Sequence, residues 1–174
     1  EKLASMHLIP LSISYEFDPC DYLKAKEMQL KRDQSDYKKS REDDLLSMKT
    51  GIMGYKGRVF YRAGACISEE IIKMDAAMPK KDLIEKIADL MDLSIHANYR
   101  LYPNNYIAAD LLDEADTFVR SYSRNEREKF TEYLQQQLDK IELPCKDEPF
   151  LRRRMLEMYA NPLKNKHKAK ASKL

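Results

Sequence analysis

The chain has 174 residues, enough for one domain or a slightly extended one, and 43% of them are hydrophobic. Charged residues make up 34% and only four glycines occur, so the composition favours long helices with solvated faces over a many-stranded β fold. The three separated cysteines favour free thiols in a reducing compartment over a disulfide framework, and there is neither a signal peptide nor an apolar run approaching the ~20 residues of a membrane span.

The first predicted element is a strand over residues 7–15. Residues 11–14 alternate aliphatic and hydroxyl side chains, so one face of this strand is apolar and the other is polar. Pro10 has no N–H to donate, which places it at the strand start or at a bulge. A second strand is predicted at residues 59–61. Two isolated strands are rarely stable, so they need partner strands from a missing segment or a second copy, or an unusual packing on helices.

Hydrophobic periodicity, capping boxes and prolines predict about six helices. They cover residues 21–32, a segment that begins at Ser40, residues 79–99, a segment that begins at Pro103, a segment from Ser123 to Pro144, and residues 148–159. We predict that Asn161-Pro162 stops the last helix. Residues 162–174, with five lysines and no acid, are predicted to form a basic, disordered tail on an otherwise mildly acidic chain.

The residues that usually carry catalysis or bind metals are scattered. His7, His96 and His167 are isolated from one another and from the cysteines, which argues against a zinc site. His96 is expected at a helix end, where an imidazolium suits the helix dipole. Cys20 follows a strand, a position where nucleophiles occur, but it has no basic neighbour in sequence. A small buried thiol is therefore the preferred interpretation of Cys20.

Two further patterns have an ordinary structural interpretation. The glycine run at residues 51–57 lacks the G-K-[ST] ending of a phosphate loop and predicts turns, although Lys56 and Arg58 beside it are available to meet a phosphate. The basic triplet at residues 152–154 has no interleaved aromatic side chains of the kind that nucleic-acid platforms use. We therefore expect no nucleic-acid partner.

Residues 9–16, Ile-Pro-Leu-Ser-Ile-Ser-Tyr-Glu, resemble the last sequence block of the glycerolipid acyltransferases. Roughly the first 75 residues are similar to a bacterial, Bacteroidetes-like branch of the 1-acyl-glycerol-3-phosphate acyltransferase family. The resemblance implies an α/β parent fold, of which this chain is a mostly α portion with about two strands and a C-terminal helical bundle. It divides the chain into the end of the α/β domain at residues 1–75, a helical C-terminal region at 76–161 and the tail at 162–174.

The resemblance implies acyl transfer from acyl-CoA or acyl carrier protein to a glycerol-phosphate or lysophospholipid acceptor. The family's catalytic histidine, followed five positions later by aspartate, and its Pro-Glu-Gly block both precede the Ile-Pro-Leu strand, and neither motif occurs here. We therefore expect a C-terminal portion that relies on a missing N-terminal part for catalysis, with no metal or cofactor of its own. The residues expected to line the acceptor or acyl site, or only to build the sheet, are Ile9, Pro10, Leu11 and Ser12.

The alternative hypothesis is a non-catalytic helical module that docks on an anionic membrane or a partner protein through its basic tail. Either hypothesis fits a cytoplasmic protein that is peripheral at the inner membrane. Unpaired strand edges also make a homodimer plausible. The final Ser172-Lys173-Leu174 matches a peroxisomal address, which we interpret as a chance match in a lysine-rich tail.

Overall fold

The computed structural model describes residues 4–171. Within that range the chain is mostly helical, with seven α-helices and one antiparallel pair of strands, which confirms the predicted predominance of helix. The α/β parent fold stays a prediction. The elements in chain order are β1 (Leu11–Tyr15), α1 (Asp21–Asp33), α2 (Arg41–Met53), β2 (Val59–Ala63), α3 (Ser68–Ile72), α4 (Lys80–Asn98), α5 (Pro103–Asp113), α6 (Arg124–Asp139) and α7 (Glu148–Ala171).

The chain folds into two compact units, each assembled from separate stretches of sequence. The first unit, here unit 1, consists of the described parts of Glu1–Ser14, Val59–Arg100 and Lys164–Leu174. Unit 2 consists of Tyr15–Arg58 and Leu101–Leu163. The functional division of the chain at residues 75 and 161 stays a prediction.

The core of unit 2 is formed mainly by α5, α6 and α7. Phe130, Leu134 and Leu138 are buried along one stripe of α6, because residues four apart in a helix share a face. The predicted apolar stripe of α6 is thus confirmed. The other large side chains that are fully buried in this core are Ile107, Leu151, Met155 and Leu163.

Unit 1 has a smaller core built around α4. Ile87 of α4 packs with Ile67 and Ile71, which belong to the turn and short helix α3 just before it. Leu83 and Leu90 flank Ile87 on the same face of α4, as the periodicity predicts. Helix α3 was not predicted, because five residues are too few to show a helical period.

Local capping signals place the starts of two helices correctly. Ser40 Oγ accepts a hydrogen bond from the backbone N–H of Asp43, and the Asp43 carboxylate accepts one from the N–H of Ser40. Ser123 and Glu126 form the same reciprocal pair at the start of α6. Both predicted capping boxes are confirmed.

The predicted end of the last helix is wrong. Helix α7 continues through Pro162 to Ala171, so residues 162–171 are helical and the disorder predicted for them is corrected. Leu163 and Ala169 are buried, and this burial offsets the hydrogen bond that Pro162 cannot donate. Residues 172–174, which include the peroxisomal-type tripeptide, lie outside the described range.

Replacing Pro162 with alanine tests this continuous helix. Alanine restores a backbone N–H inside the helix and removes the clash of the proline ring, so the free energy of unfolding should rise by about 1 kcal/mol or more. Chemical denaturation followed by circular dichroism measures the change. If the chain left the helix at residue 162, the substitution would instead leave stability unchanged or lower it.

Candidate functional site

The candidate site is the β1–β2 sheet, which contains part of the predicted substrate-binding segment. The N–H of Gly64 donates to the carbonyl of Pro10 at 2.8 Å, which fixes the antiparallel register. Ser12 therefore lies opposite Arg62. Directly opposed residues in an antiparallel pair point to the same side of the sheet.

The register divides the sheet into two chemically different faces. We call one the serine face, made of Ser12, Ser14, Phe60 and Arg62, and the other the apolar face, made of Leu11, Ile13, Tyr61 and Ala63.

Burial of the two faces is the reverse of what side-chain polarity suggests. Ser12 and Ser14 are 1% and 0% exposed, whereas Leu11 and Ile13 are 49% and 39% exposed. The hydroxyl groups of β1 therefore lie inside unit 1, and its aliphatic side chains lie outside. A half-buried strand normally shows the opposite arrangement.

The four residues of the predicted substrate site do not share one surface. Ile9 and Pro10 precede β1, while Leu11 and Ser12 lie in it. Ile9 and Leu11 are exposed, and Pro10 and Ser12 are buried. Contact between these residues and a substrate stays a prediction, and only Ser12 of the four belongs to the serine face.

The two buried hydroxyls differ in their hydrogen bonding. Ser14 Oγ accepts a hydrogen bond from the backbone N–H of Arg100 at 2.9 Å. Within residues 4–171, Ser12 Oγ has no hydrogen-bond partner. A buried hydroxyl without a partner is uncommon in native proteins and requires a specific explanation.

Cationic side chains gather beside the serine face. The guanidinium of Arg100 lies 5.2 Å from the centre of the Phe60 ring. Lys166 Nζ donates to the carbonyl of Tyr99 at 2.5 Å. Burial lowers the pKa of Lys166, and the positive charges of Lys170 and then Arg62 lower it further.

No carboxylate neutralises this group in the described structure. Arg62, Arg100, Lys166 and Lys170 take part in no ion pair among the residues from 4 to 171. Like charges held together without a counter-charge repel one another, which opposes the compact state. This positive charge without a counter-charge therefore favours the binding of an anion.

The cations that the sequence placed beside the glycine run have protein partners instead. Arg58 donates two side-chain hydrogen bonds to the Glu16 carboxylate, at 3.0 and 2.8 Å. Burial alone would raise the pKa of Glu16, but the hydrogen bonds and charge of Arg58 hold it below its ordinary value. Lys56 Nζ donates to the carbonyls of Ile52 and Gly54 at the end of α2.

Within the glycine run, Gly51 lies in the last turn of α2, Gly54 follows the last residue of that helix, and Gly57 lies in the connection to β2. Gly57 has a φ of 62°, in the left-handed region that favours glycine. A Cβ added at Gly57 would also lie 2.7 Å from the Glu16 carboxylate. Turn geometry therefore accounts for this glycine.

Unit 2 contains a separate buried polar cluster around Asp21, the first residue of α1. The hydroxyls of Tyr133 and Tyr159 donate to Asp21 Oδ2 at 2.9 and 2.8 Å. Burial raises the pKa of Asp21 to about 6, although the two tyrosine hydrogen bonds oppose that rise. The polar groups of this cluster satisfy one another, so it stabilises the packing of α1 on α6 and α7 and needs no ligand.

The structure tests the predictions made for Cys20 and His96. Cys20 is a buried thiol whose Sγ donates to the carbonyl of Ser47 at 3.3 Å, and burial raises the pKa of Cys20. The burial of Cys20 confirms the buried-thiol interpretation, and a raised pKa disfavours the reactive thiolate. His96 lies in the last turn of α4, as predicted.

Sequence reasoning missed the cationic group and the Asp21 cluster because their members are distant in the chain. Arg62 lies in β2, Arg100 lies just after the end of α4, and Lys166 lies in α7. No local spacing connects them. Strand alternation within residues 60–62 is the one available signal, since it places Phe60 and Arg62 on the same face.

Comparison with known proteins identifies no relative. No family model matches the chain, no curated protein matches it, and no solved structure matches it. Among the helices described between residues 4 and 171, none combines the length and apolar composition that crossing a bilayer requires. Over the same residues, no three His, Cys, Asp or Glu side chains come together as a metal site.

The two serines provide an internally controlled test of the serine face. Ser12→Ala removes a buried hydroxyl without a partner and should raise the free energy of unfolding by about 1 kcal/mol. Ser14→Ala deprives the Arg100 N–H of its acceptor and should lower it by about 1 kcal/mol. Urea denaturation measures both variants, and changes of the same sign would contradict the arrangement.

The buried carboxyl of Asp21 should make stability depend on pH. Because its folded pKa is raised to about 6, its contribution is fully present below the unfolded pKa of about 3.9 and is lost as pH rises through about 6. The free energy of unfolding of Asp21→Asn should therefore rise relative to that of the wild type, by on the order of 3 kcal/mol between pH 4 and pH 8.

Urea denaturation across that pH range measures this difference. Asp36→Asn, which removes an exposed loop carboxylate, is the matched control for net charge. A constant difference between Asp21→Asn and the wild type from pH 4 to pH 8 would contradict the proposed proton uptake by Asp21.

Proposed function

We propose that the chain is the C-terminal portion of an acyltransferase that acts on a glycerol-phosphate or lysophospholipid acceptor. The acyl donor is acyl-CoA or acyl carrier protein, and the catalytic His-x4-Asp pair lies in a part of the protein outside these 174 residues. The likeness of residues 9–16 to the last acyltransferase block supports this proposal.

One structural observation carries the proposal furthest. The strand that resembles the acceptor-site block turns Ser12 and Ser14 inward, on the face where Arg62 lies opposite Ser12. A polyol phosphate is recognised by hydroxyl hydrogen bonds together with cations that neutralise its charge. The serine face offers both kinds of group, the hydroxyls on β1 and the cation on the neighbouring strand β2.

The apolar face supports the proposed α/β parent fold. Leu11, Ile13 and Tyr61 are exposed side by side on the outer side of the sheet. In an α/β domain both faces of the sheet are covered, so further polypeptide would bury these side chains.

The basic end of α7 favours a second candidate function. Leu163 and Ala169 are buried, while Lys164, Lys168 and Lys170 are exposed on the same final turns. A helix end with lysines on its solvent side suits the anionic surface of a membrane. In this alternative the chain is a non-catalytic module, peripheral at the inner membrane.

Acyl transfer measured on two proteins tests the proposed function. The purified 174-residue chain should transfer no acyl group from acyl-CoA or acyl carrier protein to glycerol 3-phosphate or lysophosphatidate, because it lacks the catalytic pair. The complete gene product should transfer it, and replacing the histidine of its His-x4-Asp motif with alanine should abolish transfer.

Transfer by the 174-residue chain would contradict the assignment of catalysis to another part of the protein. A complete gene product that transfers no acyl group with either donor and either acceptor would refute the acyltransferase proposal. The non-catalytic interaction module would then be the preferred function.

A further inference from the structure

Helix α2 turns its large apolar side chains away from the rest of unit 2. None of its 13 residues is buried. Leu45, Met48 and Ile52 are 59%, 63% and 72% exposed. A helix on the surface of a folded domain normally buries such residues and exposes its polar ones. The described part of the chain therefore leaves one apolar side of α2 uncovered.

The inner side of α2 consists of small residues that lie close to the start of α1. Cys20 Sγ donates to the carbonyl of Ser47 at 3.3 Å. A Cβ added at Gly51 would lie 3.6 Å from the same sulfur, and one added at Gly54 would lie 2.4 Å from the side chain of Pro19. These close approaches fix which side of the helix faces inward, so its apolar side stays exposed.

The exposed side chains have the spacing of a coiled-coil seam. Leu45, Met48 and Ile52 follow one another at steps of three and four residues, and Arg41 continues the pattern one turn earlier. Such steps define the a and d positions of a heptad, whose side chains insert between those of a facing helix. We call Leu45, Met48 and Ile52 the α2 seam. Its spacing indicates a helix as the partner.

Charged residues beside the seam make α2 complementary to a second copy of itself. Glu42 and Lys49 lie seven residues apart, which places them on the same flank of the helix two turns from each other. Asp44 pairs with Lys39 at 3.1 Å, whereas Glu42 and Lys49 take part in no ion pair among residues 4–171. An antiparallel copy brings the Glu42 end of each helix to the Lys49 end of the other.

The acidic first turn of α2 disfavours an anionic bilayer as the partner. The helix has three acidic residues, all in its first turn, and only two cationic residues, Arg41 and Lys49. Helices that lie in a membrane interface are typically rich in lysine and arginine along the polar face. Anionic headgroups would repel the first turn, whereas the Lys49 end of a second copy attracts it.

We propose that the α2 seam is a homodimer interface, in which two copies of the chain pack their α2 helices antiparallel about a two-fold axis. The seam residues of one copy insert between those of the other, and Glu42 of each copy pairs with Lys49 of its partner. One short helix from each copy buries less than the roughly 800 Å² per partner of a standard interface, so the dissociation constant should be on the order of 10 μM. This interface does not rest on the proposed function.

Sedimentation equilibrium of the purified 174-residue chain tests the interface. Between about 1 and about 200 μM, the wild type should pass from monomer to dimer. Ile52→Glu places a carboxylate in the seam of both copies and should raise the dissociation constant at least tenfold. A wild-type chain that stays monomeric over the whole concentration range would overturn the proposal.

Ile84→Glu is the matched control. Ile84 is an exposed isoleucine of α4, so the same substitution removes the same side chain from another helix surface. This variant should dimerise within twofold of the wild type, and circular dichroism checks that both variants stay folded. If Ile84→Glu weakened dimerisation as much as Ile52→Glu, the association would not depend on the α2 seam and the interface would be refuted.

Exchange of the two flanking charges tests the antiparallel orientation. Glu42→Lys leaves two lysines on the flank and Lys49→Glu leaves two glutamates, so each variant alone should self-associate several-fold more weakly than the wild type. A mixture of the two should form a heterodimer with wild-type affinity, because both contacts again join a lysine to a glutamate. A mixture that associates no more strongly than either variant alone would contradict the proposed pairing.

Vesicle binding tests the bilayer as the alternative partner of α2. Sedimentation with vesicles of phosphatidylcholine and phosphatidylglycerol should give the same bound fraction for the wild type and for Ile52→Glu, because the seam faces a second copy. If the wild type stayed monomeric and its vesicle binding were lost in Ile52→Glu, the seam would be a membrane surface and the homodimer would be refuted.

Discussion

The antiparallel pairing of β1 with β2 determines the chemistry of unit 1. The Gly64–Pro10 hydrogen bond belongs to a register in which Ser12 and Ser14 point inward. A shift of one residue would exchange the two faces of a strand, which would bury Leu11 and Ile13 and expose the hydroxyls. Hydrophobic burial alone favours the shifted arrangement, so the observed one depends on backbone pairing and on the groups that cover the serine face.

Each unit contains a buried polar atom with no hydrogen-bond partner among the described residues, Ser12 Oγ in unit 1 and Arg154 Nε in unit 2. In unit 2 the Asp21 carboxyl accepts hydrogen bonds from two tyrosine hydroxyls, so each group has a partner. In unit 1 the Ser12 hydroxyl has none within the described residues, and the nearby cations have no carboxylate. Closed networks stabilise a fold, whereas unsatisfied groups beside uncompensated charge are typical of binding sites.

Local sequence signals predicted the parts of the fold that local interactions determine. Helices α4 and α6 begin where periodicity and the Ser123 capping box place them. The end of α7 was missed because the proline rule considers only the backbone, whereas the burial of Leu163 and Ala169 depends on distant residues. The alternation in β1 likewise predicted one apolar and one polar face. It did not predict which face is buried, because burial depends on residues that are distant in the chain. The cationic group joins side chains about 100 positions apart, which no sequence spacing reveals.

Burial of Ser12 bears on the choice between an enzyme site and a membrane-binding surface. A bilayer surface attracts exposed lysines through a long-range field that salt screens, and it makes no use of a hydroxyl inside the protein. A single phosphate group, by contrast, enters between side chains and gains a directional hydrogen bond from such a hydroxyl. Lysines alone would fit either function equally. The buried Ser12 hydroxyl, which has no partner among the described residues, is compatible with the proposed acceptor site and contributes nothing to a membrane-binding surface.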